Sequence, residues 1–234
     1  MKTVLITSLT ILFCFKAAAQ SNYNKLSIGA GGGLTQSFTD IGSNDFAPAA
    51  YGNVEYFLTP FLSLGSELQV GKIKGGDPNT DPHGRAFVNS YKALKFGGKM
   101  YLGALTNFES SNFLNAVKWA YMGLEGGIVS STMTSIERVQ KSTGYRFPGK
   151  NASKDLDLAL DLGISFYFPD REGKPRFAIN ANYQTNVTIG EGLDGYDDSP
   201  IKFKNGNPDI YNYYSIGLKY HIGILDISRR RLYR

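Results

Sequence analysis

Residues Tyr211 to Gly223 read Y-N-Y-Y-S-I-G-L-K-Y-H-I-G. In an extended strand, successive side chains point to opposite faces, so Tyr214, Ile216, Leu218, Tyr220 and Ile222 share one face. Ser215, Gly217, Lys219 and His221 share the other with Gly223. A large apolar face opposite small and charged residues fits a strand with lipid on one side and a polar lumen on the other. The remaining chain must then supply the other strands.

The same period of two recurs seven times upstream. Strands are expected over Lys25 to Leu34, Ala49 to Leu58, Leu62 to Lys72, Tyr91 to Leu105, Val117 to Ser130, Leu156 to Phe168 and Arg176 to Ile189. The run from Leu156 is the clearest: Leu158, Leu160, Leu162, Ile164, Phe166 and Phe168 oppose Asp157, Ala159, Asp161, Gly163 and Ser165. Tight turns are expected around Pro60 and over Pro169 to Pro175, with a connection of intermediate length over Thr106 to Ala116. Longer polar loops follow the odd strands, over Thr35 to Pro48, Ile73 to Ser90, Ser131 to Asp155 and Gly190 to Asp209. Short turns at one end and long loops at the other are the asymmetry of an outer-membrane barrel. The expected fold is therefore all-β: an eight-stranded antiparallel transmembrane β-barrel.

Composition agrees with this reading. The 234 residues include 27 Gly, 15 Tyr and 15 Phe, and amphipathic helical periodicity is scarce. Met1-Lys2-Thr3, the apolar run Val4 to Phe15 and Ala17-Ala18-Ala19 form a secretory signal peptide, giving expected boundaries of 1–19 for the signal, 20–226 for the barrel and 227–234 for a basic periplasmic tail. Acylation at Cys14 is the competing reading, and bulky Phe13 just before it argues against it. Cys14 is the sole cysteine, so the expected mature chain holds no disulfide and no cysteine metal site. Without Lys2 and Lys16, the formal charge of +5 falls to +3, and no concentrated basic face argues for nucleic acid. No later apolar run is long enough for a transmembrane helix, so any span is made of strands.

Candidate site residues follow from the inward parity. Lys25, Glu55, Glu67, Lys95, Lys99, Glu125, Asp157, Asp161, Lys219 and His221 all fall on it. Charges of both signs in so narrow a space are expected to pair, because an isolated buried ion is very costly. Lipid hydrolysis would need a His beside a Ser and an acid. The two histidines, His83 on a loop and His221 on the last strand, stand in no nucleophile motif, so neither an enzyme nor a cofactor is expected. Gly29-Ala30-Gly31-Gly32-Gly33 lies within a strand and is not a nucleotide-binding fingerprint. Glu191, Asp194, Asp197 and Asp198 crowd one loop, read as solvated, with a calcium site as the alternative. Arg138, Lys141, Arg146, Lys150 and Lys154 crowd another, where they are ordinary solubilising charge or partners for lipopolysaccharide phosphates. Asn151-Ala152-Ser153 is a glycosylation sequon without meaning in this compartment.

These features resemble the small outer-membrane barrels of the OmpA and OmpX type, and more closely the outer membrane protein beta-barrel group that includes PorT-like proteins. The resemblance covers essentially the whole mature chain. It implies that Ser215, Gly217, Tyr220 and Ile222 occupy the places of the last-strand signal read by the barrel assembly machinery, although the chain runs on to Arg234 beyond that strand. It also implies a monomer in a bacterial outer membrane, surrounded by lipid and lipopolysaccharide. Its expected role is structural or interactive: membrane integrity, or binding through outer loops or the basic tail. A subunit of a secretion or assembly machine and a narrow passive pore are the alternatives.

Overall fold

A computed structural model of the chain describes residues 25–39, 41, 44–169, 175–190, 192–196 and 209–222. The expected signal peptide and basic tail lie outside the described residues, as do Glu191, Asp197 and Asp198. Eight strands make up nearly all of the rest: β1 (Leu26–Phe38), β2 (Asn44–Thr59), β3 (Leu62–Gly75), β4 (Phe87–Tyr101), β5 (Ala120–Ile136), β6 (Ala152–Pro169), β7 (Pro175–Ile189) and β8 (Ile210–Ile222). Each pairs antiparallel with its sequence neighbour, and β1 pairs with β8 from Leu26↔Ile222 to Phe38↔Ile210. The sheet is a closed barrel, so no strand edge is exposed to lipid.

The faces alternate as the sequence predicts. Ile216 and Leu218 on β8, Leu124 on β5 and Phe96 on β4 are each at least 60% exposed on the outside. Exposed apolar side chains on all eight strands form a continuous belt that only lipid can cover. On β6 this belt runs ten steps from Leu156 to Phe166. At about 3.3 Å per residue and a tilt of about 40°, it spans roughly 25 Å, the hydrocarbon thickness such barrels cross.

Strand ends differ from the sequence expectation in a systematic way. The loop expected over Thr35 to Pro48 shrinks to residues 39–43, and β5 and β6 extend to Ile136 and back to Ala152. The ladder simply continues past the belt, carrying outward polar residues such as Ser130, Thr132 and Lys154 into the aqueous side. Apolar alternation reports hydrocarbon, and hydrogen bonding does not stop where hydrocarbon does. Pro48 is tolerated inside β2 because the ladder to β3 is broken between Asp45 and Ala49. At the opposite end, β4 stops at Tyr101, and Leu102, expected in the strand, enters a 3₁₀ turn (Leu102–Ala104). A second such turn and helix α1 (Asn112–Val117), capped by the Ser111 side chain, complete this connection.

Candidate functional site

Inside the barrel, the inward residues sort into three layers. At mid-height, the Lys219 ammonium donates to both carboxylate oxygens of Glu55, at 3.0 and 2.9 Å. Lys99 donates to the same Glu55 at 3.1 Å and lies 3.4 Å from Glu125. Both ammonium groups stand over the Tyr121 ring, at 5.6 Å for Lys99 and 5.4 Å for Lys219. Lys95 donates to Gln184 and, at 2.8 Å, to Asn186, with Glu67 and Asp157 each 4.0 Å away.

Five carboxylates in this layer face three ammonium groups, and neutral donors supply the difference. Gln184 and Asn182 donate to Asp161 at 2.8 and 3.0 Å. Gln69 donates to Glu67 at 2.7 Å, and the Tyr211 hydroxyl to Asp157 at 3.1 Å. Apart from Gln69 on β3, the amides come from one strand, β7, whose inward residues are Asn180, Asn182, Gln184 and Asn186. All of these groups are nearly inaccessible to solvent, so the hydrogen bonds form where little water competes with them.

Two residues stand apart from this layer. Lys25 precedes β1, half-buried at the inner mouth, where its carbonyl accepts from the Phe57 amide at 2.7 Å. His221 departs from the expectation that it meets a carboxylate. Its ring packs between Phe57 (5.7 Å) and Tyr167 (5.1 Å), and neither ring nitrogen has a hydrogen-bond partner among the described residues. Its inward parity is as expected, but its height on β8 places it among rings rather than charges. There the imidazole serves as an aromatic plate.

Aromatic layers close both ends, and sequence reasoning missed them. At the inner end, Phe57, Phe61, Tyr101, Phe108, Trp119 and Tyr121 form one buried cluster, with Phe61 and Trp119 centroids 5.1 Å apart. At the outer end, Tyr51, Tyr91, Tyr211 and Tyr213 pack with Ile41, Ile73, Phe87 and the loop residues Leu193 and Tyr196. Parity could have found the strand members, since Tyr51 shares a face with Glu55 and Tyr91 with Lys95. The interior expected to be polar keeps its charges in the middle and carries aromatic clusters towards both ends.

The outer loops fold over the mouth. Arg85 lies between the Phe147 and Tyr196 rings, 5.8 and 5.9 Å from their centroids, and 3.5 Å from Asp81. Burial acts to raise the Asp81 pKa, but the Arg85 and His83 amides donate to its carboxylate and, with the Arg85 charge, hold it below the ordinary range. The Tyr196 hydroxyl donates to the Glu137 carbonyl at 2.7 Å; burial pushes it up to about 12. Arg138, expected as free surface charge, donates to Asn151, the Lys150 carbonyl and the Gly195 carbonyl. The described part of the acidic loop is also not solvated: Leu193, Asp194 and Tyr196 are buried. Among the described residues, no group of three or more His, Cys, Asp or Glu is placed to hold a metal ion.

The last-strand residues divide by face. Ser215 and Gly217 point inward, and a methyl group on Gly217 would collide with the Tyr51 hydroxyl and reach within 3.0 Å of the Gly31 Cα. Tyr220 and Ile222 point to lipid, with Tyr220 5.1 Å from the Phe177 ring.

A solved structure of the same architecture is Neisserial surface protein A, with a TM-score of 0.51, 11% identity, and coverage of 85% of this chain and 97% of that one. The fold is that of the small outer-membrane barrels. Weaker likenesses are Ail of Yersinia pestis, solved with the heparin analogue sucrose octasulfate (TM-score 0.47, 12% identity, 85% and 98% coverage), and the N-terminal barrel of Pseudomonas aeruginosa OprF (0.42, 11%, 84% and 98%). No family model matches the chain, and comparison with curated protein sequences finds no match. With its lipid-facing belt and closed wall, this outer-membrane barrel resides in a bacterial outer membrane, where single-chain barrels of this kind span.

Proposed function

We propose that this barrel is a non-enzymatic outer-membrane protein with a structural or interaction role, supporting the membrane and docking ligands or partners through its outer loops. The observation that carries the reading is the packing of the lumen: an ion-paired layer between two aromatic layers, with loop residues Leu193 and Tyr196 inserted in the outer mouth. Among the described residues this packing fills the lumen with side chains, which argues against a pore. The surroundings of the two histidines are part of the same reading. The His221 ring is held between two aromatic rings, and His83 stands on a loop, 6.0 Å from Phe147. In this reading, the chain works as a monomer delivered by the barrel assembly machinery, with Ser215, Gly217, Tyr220 and Ile222 as its recognition signal.

The test is complementation of a strain lacking the protein. Sensitivity to detergents and bulky antibiotics is expected to rise on deletion and to return to normal with the wild-type chain. A chain with residues 139–150 replaced by a Gly-Ser linker restores the barrier if the role is structural and loses partner binding if the loops dock. Full barrier function together with stoichiometric co-purification of envelope secretion components would instead favour a subunit of a secretion or assembly machine.

A further inference from the structure

The outward face of the barrel carries charge in one place only among the described strand residues. Lys72 and Lys74 on β3, Lys92 on β4 and Lys154 on β6 point outward at the loop-bearing end, and no outward position of β3, β4, β5 or β6 holds an acid. The register puts them just above the belt. Val70 is paired with Lys92, Lys92 with Ser130, and Ser130 with Lys154, while Leu68, Leu94, Ile128 and Leu156 each lie two residues nearer the membrane centre on their strands. Lys72 pairs with Ser90, so it sits diagonally from Lys92 at about 7–8 Å between Cα atoms. Lys92 and Lys154 stand two strands apart, about 10 Å, with the Ser130 hydroxyl between them.

Asp155 points away from this face, and Ser153 donates to it at 2.7 Å. Asp45 stands across from Lys74 in the register, and among the described residues no ion pair joins an acid to Lys72, Lys92 or Lys154. The other half of the wall is different in kind: β7, β8 and β1 present Thr185, Asn212 and Gln36 outward, next along their strands from Tyr183, Tyr214 and Leu34. A cation at this depth has hydrocarbon below it and headgroups beside it, so its natural counter-ion is a lipid phosphate.

We propose that the outer rim of β3–β6, through Lys72, Lys92 and Lys154 with the Ser90 and Ser130 hydroxyls, is a binding site for the phosphorylated glycolipid of the outer leaflet. A glycolipid with two phosphates matches two cation positions about 10 Å apart, its sugar hydroxyls meet the serines, and its acyl chains lie along Leu94, Ile128 and Leu156. This site rests on the membrane placement of the barrel and is independent of what the loops bind.

The test uses delipidated full-length protein in detergent, titrated by native mass spectrometry with bisphosphorylated lipid A, dephosphorylated lipid A and phosphatidylglycerol. Bisphosphorylated lipid A is expected to bind about tenfold or more tightly than the other two. The variant K72Q/K92Q/K154Q loses that preference, K72R/K92R/K154R keeps it, and K141Q/K150Q, altered in the loop, behaves as wild type. The proposal is overturned if the triple glutamine variant, with its heat-modifiable gel mobility intact, binds as the wild type does. It is equally overturned if the loop variant loses as much, or if phosphatidylglycerol binds as tightly as lipid A.

Discussion

Glu55 is the residue on which the middle of the barrel turns, because two ammonium groups from opposite sides of the lumen, Lys99 and Lys219, converge on it. Removing one member of a buried ion cluster leaves the others uncompensated, at a cost of about 3–5 kcal/mol. Glu55→Gln is therefore expected to destabilise the barrel by that amount in urea unfolding from lipid vesicles, and Glu55→Gln with Lys219→Gln to cost less than the sum of the two. Gly217 gives a second residue-scale prediction. Gly217→Ala drives a methyl against the Tyr51 hydroxyl and to 2.6 Å from the Ala30 carbonyl oxygen, with an expected loss of about 1–3 kcal/mol that Tyr51→Leu on that background does not restore, because the backbone contact remains. Parity alone made nine of the ten proposed lumen charges legible as inward residues of the wall, since a period of two needs no tertiary information. Parity does not reveal height, which is why it groups His221 with the carboxylates although the ring lies between Phe57 and Tyr167.

At the scale of elements, the loop over residues 76–86 is organised by Asp81, which accepts from the His83 and Arg85 amides at 2.9 Å each. Its pKa is depressed in the folded loop, so its contribution is fully present above the ordinary carboxylate value near 4 and is lost as pH falls below that value. Hydrogen exchange of these amides is expected to show no pH-driven opening from neutral pH down to about pH 5, with opening only below about pH 4. Asp81→Asn is expected to open the loop already at neutral pH. The eight strands were legible because each repeats its alternation for many residues, whereas their outer ends were not. Thr132 and Lys154 look like loop residues in sequence, but they are outward positions of a ladder that runs on into water. The aromatic layers escaped for a related reason. Phe108 comes from the inner connection, and Leu193 and Tyr196 from an outer one, and no strand period announces that a loop will fold back into the lumen.

For the molecule as a whole, lipid, wall and lumen form three nested environments, each read from a different property of the same strands. Outward residues fix the bilayer position, backbone pairing closes the wall, and inward residues fill it. The ion-paired middle and its aromatic ends act together, because a charged layer left open to water would be a conduction path and an aromatic layer without charges would leave the β7 amides unpaired. Sealing is thus the central claim, and single-channel recording in planar bilayers tests it most directly. Purified full-length protein is expected to give no conductance steps at neutral pH, and neutralising Lys99 or Glu67 is expected to leave the bilayer silent. Discrete steps from the wild-type protein, altered in size or ion selectivity by Lys99→Gln or Glu67→Gln, would contradict it.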